Sequence, residues 1–372
     1  MANASVLMLA FTPFSSDATP AALGLGHELL IQTENSCGTF CLGSSNAHLD
    51  VLMNAAISQA QIPQPKARID QSIQLTPVRI TTLDASWRPR DAFGIAAGYR
   101  STQRSTQRSS GEKTIKELEA SSRDIPISIM TRLSESFSIA GRGIIRSIEL
   151  QQKNAAGTTG RNETYKASPH RWSVDGLWQK SEATAIAVSY VAPTNSTMTS
   201  DGASKEAKTK FPAPKWTDPQ EFTLSMAHFS SFRPPDGVTF GPFENVFHAS
   251  LSALTWETGR PVVYAALAST AATKDGWNLT DNSDQIRDFV FNVLDPSMSV
   301  SAGLESTWMR IPLGSVSTMT HVRLNHVAAQ REATTVQGGF GVSFSNQSFS
   351  LQASSLWRDD DAGYALGLSY SL

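Results

Sequence analysis

The chain has 372 residues, of which 40% are hydrophobic and 17% charged, with a formal net charge of −2. The charged fraction falls below the roughly 25% of an ordinary soluble domain. Even so, no apolar run reaches the roughly 18 residues of a membrane-spanning helix, and the balanced charge leaves no basic face for nucleic acid. The apolar residues must then be dispersed among small polar ones, which is how a transmembrane β-barrel carries its hydrophobicity.

At the start, Val6-Leu7-Met8-Leu9-Ala10-Phe11 is a short apolar run and Ser16-Asp17-Ala18 would serve as a small-residue cleavage site. A basic n-region is missing, so residues 1–18 read either as a truncated signal peptide, the preferred reading, or as no signal at all. Residues 19–68 show no steady period and carry Gly24, Gly26, Pro63 and Pro65. They read as an N-terminal segment that precedes or plugs a barrel. Within them Cys37 and Cys41 form CGTFC, either a local disulfide of an oxidising compartment or two ordinary thiols. Without a nearby histidine the pair makes no full zinc site.

From about residue 69 the period becomes two, the signature of a strand. Phe93, Ile95, Ala97 and Tyr99 alternate with Gly94, Ala96, Gly98 and Arg100. Ile186, Val188 and Tyr190 alternate with Ala185, Ala187 and Ser189; Met298, Val300, Ala302 and Leu304 with Ser299, Ser301 and Gly303; Phe340, Val342 and Phe344 with Gly339, Gly341 and Ser343. The cleanest strand is the last. There Tyr364, Leu366, Leu368, Tyr370 and Leu372 form one apolar face, and Ala365, Gly367, Ser369 and Ser371 a face of tiny residues. A soluble sandwich strand would place Lys or Glu on its wet face; tiny residues suit a crowded lumen.

Tight turns are predicted at Pro89-Arg90-Asp91, Ser134-Glu135-Ser136 and Lys180-Ser181-Glu182, and long polar connections over 101–123, 152–169 and 193–218. Short turns alternating with long loops are the asymmetry of outer-membrane barrels. Loop 101–123 holds a tandem STQR repeat and then GEKTIKELEA. It reads as a solvated external loop, with a short amphipathic helix over Ile115 and Leu118 as the alternative. Glu257-Thr258-Gly259 looks like another tight turn but falls on the long-loop side, so that either 231–244 hides a strand or one strand is misassigned. Trp87, Trp178, Trp256 and Trp357 lie near strand ends beside turns, where indole suits the headgroup level of a bilayer. The fold class is thus all-β: a transmembrane antiparallel barrel over 69–372 of about 14 strands, within a range of 12–16, even-numbered as bacterial barrels are.

Chemistry is sparse. Seven histidines occur without an HExxH pair, and there is no GxSxG elbow or phosphate loop. His321 and His326, five apart, fall on opposite faces of a strand. His228 near Ser230 and Ser231 is the nearest approach to a hydrolase, and ordinary strand positions account for it. No enzyme activity, cofactor or metal site is expected. Binding is the better prospect. Arg132, Arg142 and Arg146 lie on adjacent strands of one hairpin, with Gly141 and Gly143 leaving room beside Arg142. Charge on the lipid face costs about 2–4 kcal/mol at the midplane, which sends these arginines to the lumen or a rim. There they either hold a ligand carboxylate by charge-assisted hydrogen bonds or pair with inward acids such as Asp175 or Glu305.

Two resemblances add to this reading. Gly367, Tyr370 and Leu372 are similar to the C-terminal sorting signal of outer-membrane barrels, with Leu372 in place of the usual final Phe or Trp. That resemblance implies recognition by the barrel-assembly machinery and a bacterial outer-membrane location among its lipids. The hairpins ASWRPRDAFGIAAGYRS (85–101), DIPISIMTRLSESFSIAGRG (124–143), HRWSVDGLWQKSEATAIAVSYVAP (170–193) and FPAPKWTDPQEFTLSMAHFSSFRPPD (211–236) resemble the FadL-type family of long-chain fatty acid and hydrocarbon transporters. The family's Asn-Pro-Ala signature finds its nearest match in Asn54-Ala55-Ala56, without the proline. The resemblance implies an uptake channel for hydrophobic small molecules such as fatty acids: an external pocket captures the ligand, an N-terminal plug rearranges, and the ligand leaves through the wall. The alternative from another functional class is a structural or surface-display barrel whose long loops bind partners.

Overall fold

The computed structural model describes residues 9–11, 31–33, 52–62, 73–75, 77–90, 93–110, 113–154, 163–181, 183–201, 215–218, 220–231, 240–255, 297–311, 313–327, 333–346, 349–358 and 361–371. Fourteen strands close on themselves. They are β1 (Leu52–Ile62), β2 (Val78–Arg90), β3 (Phe93–Ser110), β4 (Lys113–Ser134), β5 (Phe137–Asn154), β6 (His170–Ser181), β7 (Thr184–Val191), β8 (Gln220–Ser231), β9 (Phe240–Thr255), β10 (Ser297–Ile311), β11 (Gly314–Val327), β12 (Ala333–Ser345), β13 (Phe349–Arg358) and β14 (Asp361–Ser371). Each pairs antiparallel with the next, and β14 pairs with β1 through Tyr364↔Gln61 to Ser371↔Asn54, so the ladder has no edge. Closure satisfies every strand's backbone in hydrocarbon, where an open sheet would leave polar groups unpaired. Around the barrel the register slips by about one residue per strand, the stagger that tilted strands need in order to close.

The wall is inside out relative to a soluble protein. Outward positions carry Ile125, Ile127 and Ile129 on β4, and Tyr364, Leu366, Leu368 and Tyr370 on β14, all about half exposed. Inward positions carry buried polar or small groups, among them Ser128, Asp175, Ser343, Ala365 and Ser369. The two faces predicted for the last strand are thus the lipid and lumenal faces, and β3, β7, β10 and β12 follow the same alternation. Two hydroxyls that face outward are satisfied by the ladder itself: Thr320 Oγ1 donates to the Leu304 carbonyl and Ser355 Oγ to that of Phe340. Aromatic side chains ring both ends of the apolar band. Tyr99, Trp172, Tyr190, Trp357 and Tyr364 lie toward the long-loop end, and Trp87, Phe137, Trp178, Phe349 and Tyr370 toward the short-turn end. Trp256 lies outside the described residues.

Two-residue turns join β2 to β3, β4 to β5, β6 to β7 and β10 to β11, all at one end. The longest connections, β1–β2, β5–β6, β7–β8 and β9–β10, emerge at the other end together with two-residue connections from β3 to β4 and β13 to β14, while an eight-residue connection joins β8 to β9 at the short-turn end. Gly314, at the β10–β11 turn, has φ +155°, and a Cβ there would lie 2.4 Å from the Ser345 carbonyl oxygen, so only glycine fits. Among the described residues 231–244 holds no extra strand: β9 begins at Phe240, pairs directly with β8 and ends at Thr255 at the long-loop end. Glu257-Thr258-Gly259 lies outside the described residues, in the connection from β9 to β10.

Two expectations are corrected. Residues 101–110 and 113–123 form neither a loop nor a helix: β3 and β4 continue as one ladder from Arg100↔Asp124 to Ser110↔Lys113, and β5 follows β4 as far as Asn154. Short strands Ile73–Leu75, Glu163–Ala167 and Thr199–Asp201 extend this sheet beyond the barrel at the long-loop end. Thr, Ser and Ile in these stretches favour extended backbone, and the ladder continues from strands already anchored in the bilayer. The barrel also begins at Leu52, inside the 19–68 segment. Asn54-Ala55-Ala56 is part of β1, whose small residues on both faces mask its period. Upstream, Leu9–Phe11 pairs with Ile31–Thr33, and Ile31–Thr33 packs near β7 and β8. Cys37 and Cys41 lie outside the described residues, as do most of 1–18 and 19–51.

Candidate functional site in the barrel lumen

The lumen is lined by the inward residues of all fourteen strands, and these differ by arc. On β2 to β8 the lining is charged and internally paired. Arg142 Nη2 lies 3.3 Å from Asp175 Oδ2, with both side chains buried, and Ser189 Oγ donates to the other oxygen of Asp175. Asp84, inward on β2, is within electrostatic reach of Arg100 and Arg142. Nearer the long-loop end, Arg146 grips Asp124 with two parallel hydrogen bonds of 2.9 and 3.0 Å. Arg171 bonds Glu221 at 2.9 Å and the Ala192 carbonyl at 3.1 Å. Gly98 makes part of this packing possible: a Cβ there would lie 2.1 Å from Asp84 Oδ1. In such ladders each charge is neutralised by its neighbour across the strand, which lets ions line a crowded lumen.

The opposite arc is lined by smaller groups. Gly339, Gly341 and Ser343 face inward on β12, Ser350 and Ser354 on β13, and Ala365 and Ser369 on β14. Its ionisable members include His248 and Glu305, whose Nε2 and Oε2 lie 3.8 Å apart, His321 across Gly303 from His248, and Arg323 and Arg358, whose Nη2 atoms donate to Ser299 Oγ and Gln337 Oε1 at 3.0 and 2.8 Å. Two apolar patches complete the lining. Ala60, Val78, Ile80, Leu356 and Ala365 cluster toward the long-loop end on β13, β14, β1 and β2. Ala96, Met130, Ala140, Leu177, Ala185, Ala187, Ala227 and Val246 cluster toward the short turns on β3 to β9. An apolar molecule thus meets apolar surface at both ends and, between them, a polar tier in which Arg142, Arg146 and Arg171 are each paired with an acid. Among the described residues no three of His, Cys, Asp and Glu converge as metal ligands.

The predicted site residues are placed as follows. Arg142 and Arg146 both face the lumen, one tier apart, engaged by Asp175 and Asp124 respectively. Arg132 is separate from them: its Nε and Nη2 bond the carbonyls of Ser134 and Glu135 at 3.1 and 2.7 Å, bracing the β4–β5 turn. Gly141 and Gly143 give no room beside Arg142. With a period of two they project outward while Arg142 projects inward, and they open a notch on the lipid face between Ile127, Ile129, Trp172 and Val174. Glu305 sits on the far wall from the arginines. Gly367 and Tyr370 take inward and outward positions on β14, and Leu372 lies outside the described residues. His228 points outward, with its Nδ1 2.9 Å from Thr184 Oγ1. Sequence reasoning missed the Arg171–Glu221 pair, although HRWSVDGL already placed Arg171, Ser173 and Asp175 on one face and Trp172 and Val174 on the other.

No family model matches the chain, and no curated protein matches it. Solved structures do. A FadL homologue from Pseudomonas aeruginosa superposes with a TM-score of 0.53 at 10% identity, covering 100% of this chain and 96% of its own. The chain has the FadL-type fold. The Pseudomonas putida toluene transporter TodX matches with a TM-score of 0.50 at 9% identity, covering 98% and 95%. A loop-deleted TodX variant described as a monoaromatic hydrocarbon channel gives 0.51 at 8%, also covering 98% and 95%. At these identities the FadL-type likeness speaks for the architecture, which spans the whole chain.

Proposed function

We propose that this chain is an outer-membrane channel for the uptake of hydrophobic small molecules, with its long loops outside the cell. The observation that carries the proposal is the FadL-type architecture over the full chain, shared with structures described as a toluene transporter and a monoaromatic hydrocarbon channel. The lumen supports it, since apolar patches at both ends bracket a tier where Arg142, Arg146 and Arg171 are each paired with an acid. Fatty acids and monoaromatic hydrocarbons are the two ligand classes to compare. The N-terminal segment acts as the plug in this reading: Ile31–Thr33 packs near β7 and β8, whose inward Ala185, Ala187 and Ala227 are fully buried.

Initial uptake of labelled toluene and oleate is measured in cells with the gene deleted and complemented. Deletion is expected to lower the rate for at least one ligand and complementation to restore it. Unchanged rates for both, with no binding of either to the purified protein, refute the channel. A membrane barrel is checked separately on SDS gels, where boiled and unboiled samples should migrate differently. The sheet of β3 to β5 that projects past the barrel favours one rival, a surface-display barrel. Near-zero conductance, with partner binding lost on trimming 101–123 or 193–218, would select that rival.

A further inference from the structure

On the outer surface, just beyond the apolar band at the long-loop end, three nitrogen-bearing side chains stand on one arc. Arg79 on β2, Arg123 on β4 and His170 on β6 are all outward and exposed. Their registers are offset. Arg79 pairs with Gln103, and Arg123 with Ser101, two residues lower on the same strand; Arg123 pairs in turn with Ser147, and His170 with Ile145, again two residues lower. Each step crosses two strands and descends two residues, which matches the barrel's stagger of about one residue per strand. The three groups therefore lie at one height, spaced by about 12 Å from the strand and residue repeats.

That height is set by their neighbours. The outward residues next below Arg123 and His170 are Ile125 and Trp172, and Tyr99 lies beside Ile125 in the upper aromatic ring. The polar ends of lipids lie at the level of such a ring. Elsewhere around the wall the corresponding level is taken by Gln220, Met298, Val336 and Ala362, so the feature belongs to one arc. The outward acids Glu119 and Glu149 begin only further from the band, and Glu149 already accepts a hydrogen bond from Gln151. Neither Arg79 nor Arg123 has a hydrogen bond or ion pair among the described residues.

We propose that Arg79, Arg123 and His170 form a docking surface for a phosphate-bearing lipid headgroup of the external leaflet, whose acyl chains lie along β3 to β6. Guanidinium groups match phosphate by paired hydrogen bonds, and a phosphate esterified next to its acyl chains carries charge at this depth. The inference rests on the outer-membrane reading above, and on no particular cargo.

The test uses the detergent-folded full chain, with bisphosphorylated lipid A and the same lipid enzymatically dephosphorylated as probes, each read by native mass spectrometry. The wild type is expected to bind the phosphorylated form at least tenfold more tightly, about the effect of losing one charge-assisted hydrogen bond, with the preference shrinking as salt rises. The Arg79→Gln/Arg123→Gln/His170→Gln variant should lose the preference. Lys180→Gln, at the exposed short-turn end, should keep it. Equal binding of the two lipids by the wild type, or an undiminished preference in the triple variant, overturns the proposal. Boiled and unboiled gel lanes of the same samples separate the readings. Lost heat-dependent migration in the wild type removes the membrane barrel and this surface with it, whereas intact migration without lipid preference removes the surface alone.

Discussion

Replacing Asp175 with alanine tests what the lumenal arginines are for. The carboxylate is the direct partner of Arg142 at 3.3 Å, the two side chains being 0% and 4% exposed, and it accepts the Ser189 hydroxyl as well. Removing it strands a buried guanidinium, a loss of about 3–5 kcal/mol in buried pairs. Asp84, also within reach of Arg142, offsets part of that loss, so the expected cost is about 2–4 kcal/mol. Arg142→Met in the same background removes the stranded charge. The double variant should recover most of the loss, with a coupling of at least about 1 kcal/mol. Urea unfolding of the barrel in lipid vesicles, followed by tryptophan fluorescence and extrapolated linearly, measures each corner of the cycle. Ligand uptake is assayed on the same four proteins. A cost below about 1 kcal/mol for Asp175→Ala, or no recovery in the double variant, would refute the paired-ion account. If Arg142→Met instead abolished uptake at unchanged stability, Arg142 would be a ligand residue.

Other substitutions probe the wall. Leu366→Arg, at an outward position 56% exposed to the bilayer, should cost about 2–4 kcal/mol, whereas Ala362→Arg, four residues nearer the rim, should cost about 0–1 kcal/mol. Equal costs, measured by the same unfolding assay, would mean that β14 does not face lipid. Gly98→Ala drives a methyl into Asp84 Oδ1 and toward the Leu83 carbonyl. It is expected to lose about 1–3 kcal/mol, and less in an Asp84→Ala background, where the nearer obstacle is gone. An identical loss in both backgrounds would place the strain in the backbone alone.

The strands legible in the sequence are those that cross hydrocarbon. β14, β12 and β3 alternate cleanly because one face meets lipid and the other a crowded polar interior. β1 escaped notice because Ala55 and Gln59 on its outward face contrast little with Ser58 and Ala60 inside. The lumenal face of the site was legible in the period of two, but its pairings were not. Counted from a two-residue turn at Glu135-Ser136, with Ser134 opposite Phe137, Asp124 would fall opposite Ser147; the bulge between Arg132 and Ser134 shifts the ladder by one residue and sets Asp124 opposite Arg146. The Arg142–Asp175 contact was hidden for another reason, because β5 and β6 are joined by a long connection whose length fixes no register.

The misread ladder of 101–123 has a physical cause in the strands themselves. Along β4 the outward residues run Ile129, Ile127, Ile125 and then change to Arg123 and Glu119; along β5 they run Ile145 and then Ser147 and Glu149. The inward face changes the other way: Arg142 and Arg146 give way to Ile148, which is buried, and on the neighbouring short strand to Tyr165 and Ala167, also buried. The amphipathic sense inverts at the level of the Asp124–Arg146 pair without interrupting a hydrogen bond of the ladder. Below that level the solvent outside is lipid; above it the solvent is water, and the apolar side must turn inward as in a soluble sheet. A search for one uniform alternation registers the polar outer half as loop, although its backbone pairing continues unchanged. The inversion also fixes the outer edge of the bilayer from burial alone, and that edge coincides with the ring of Tyr99 and Trp172, which was located by residue type.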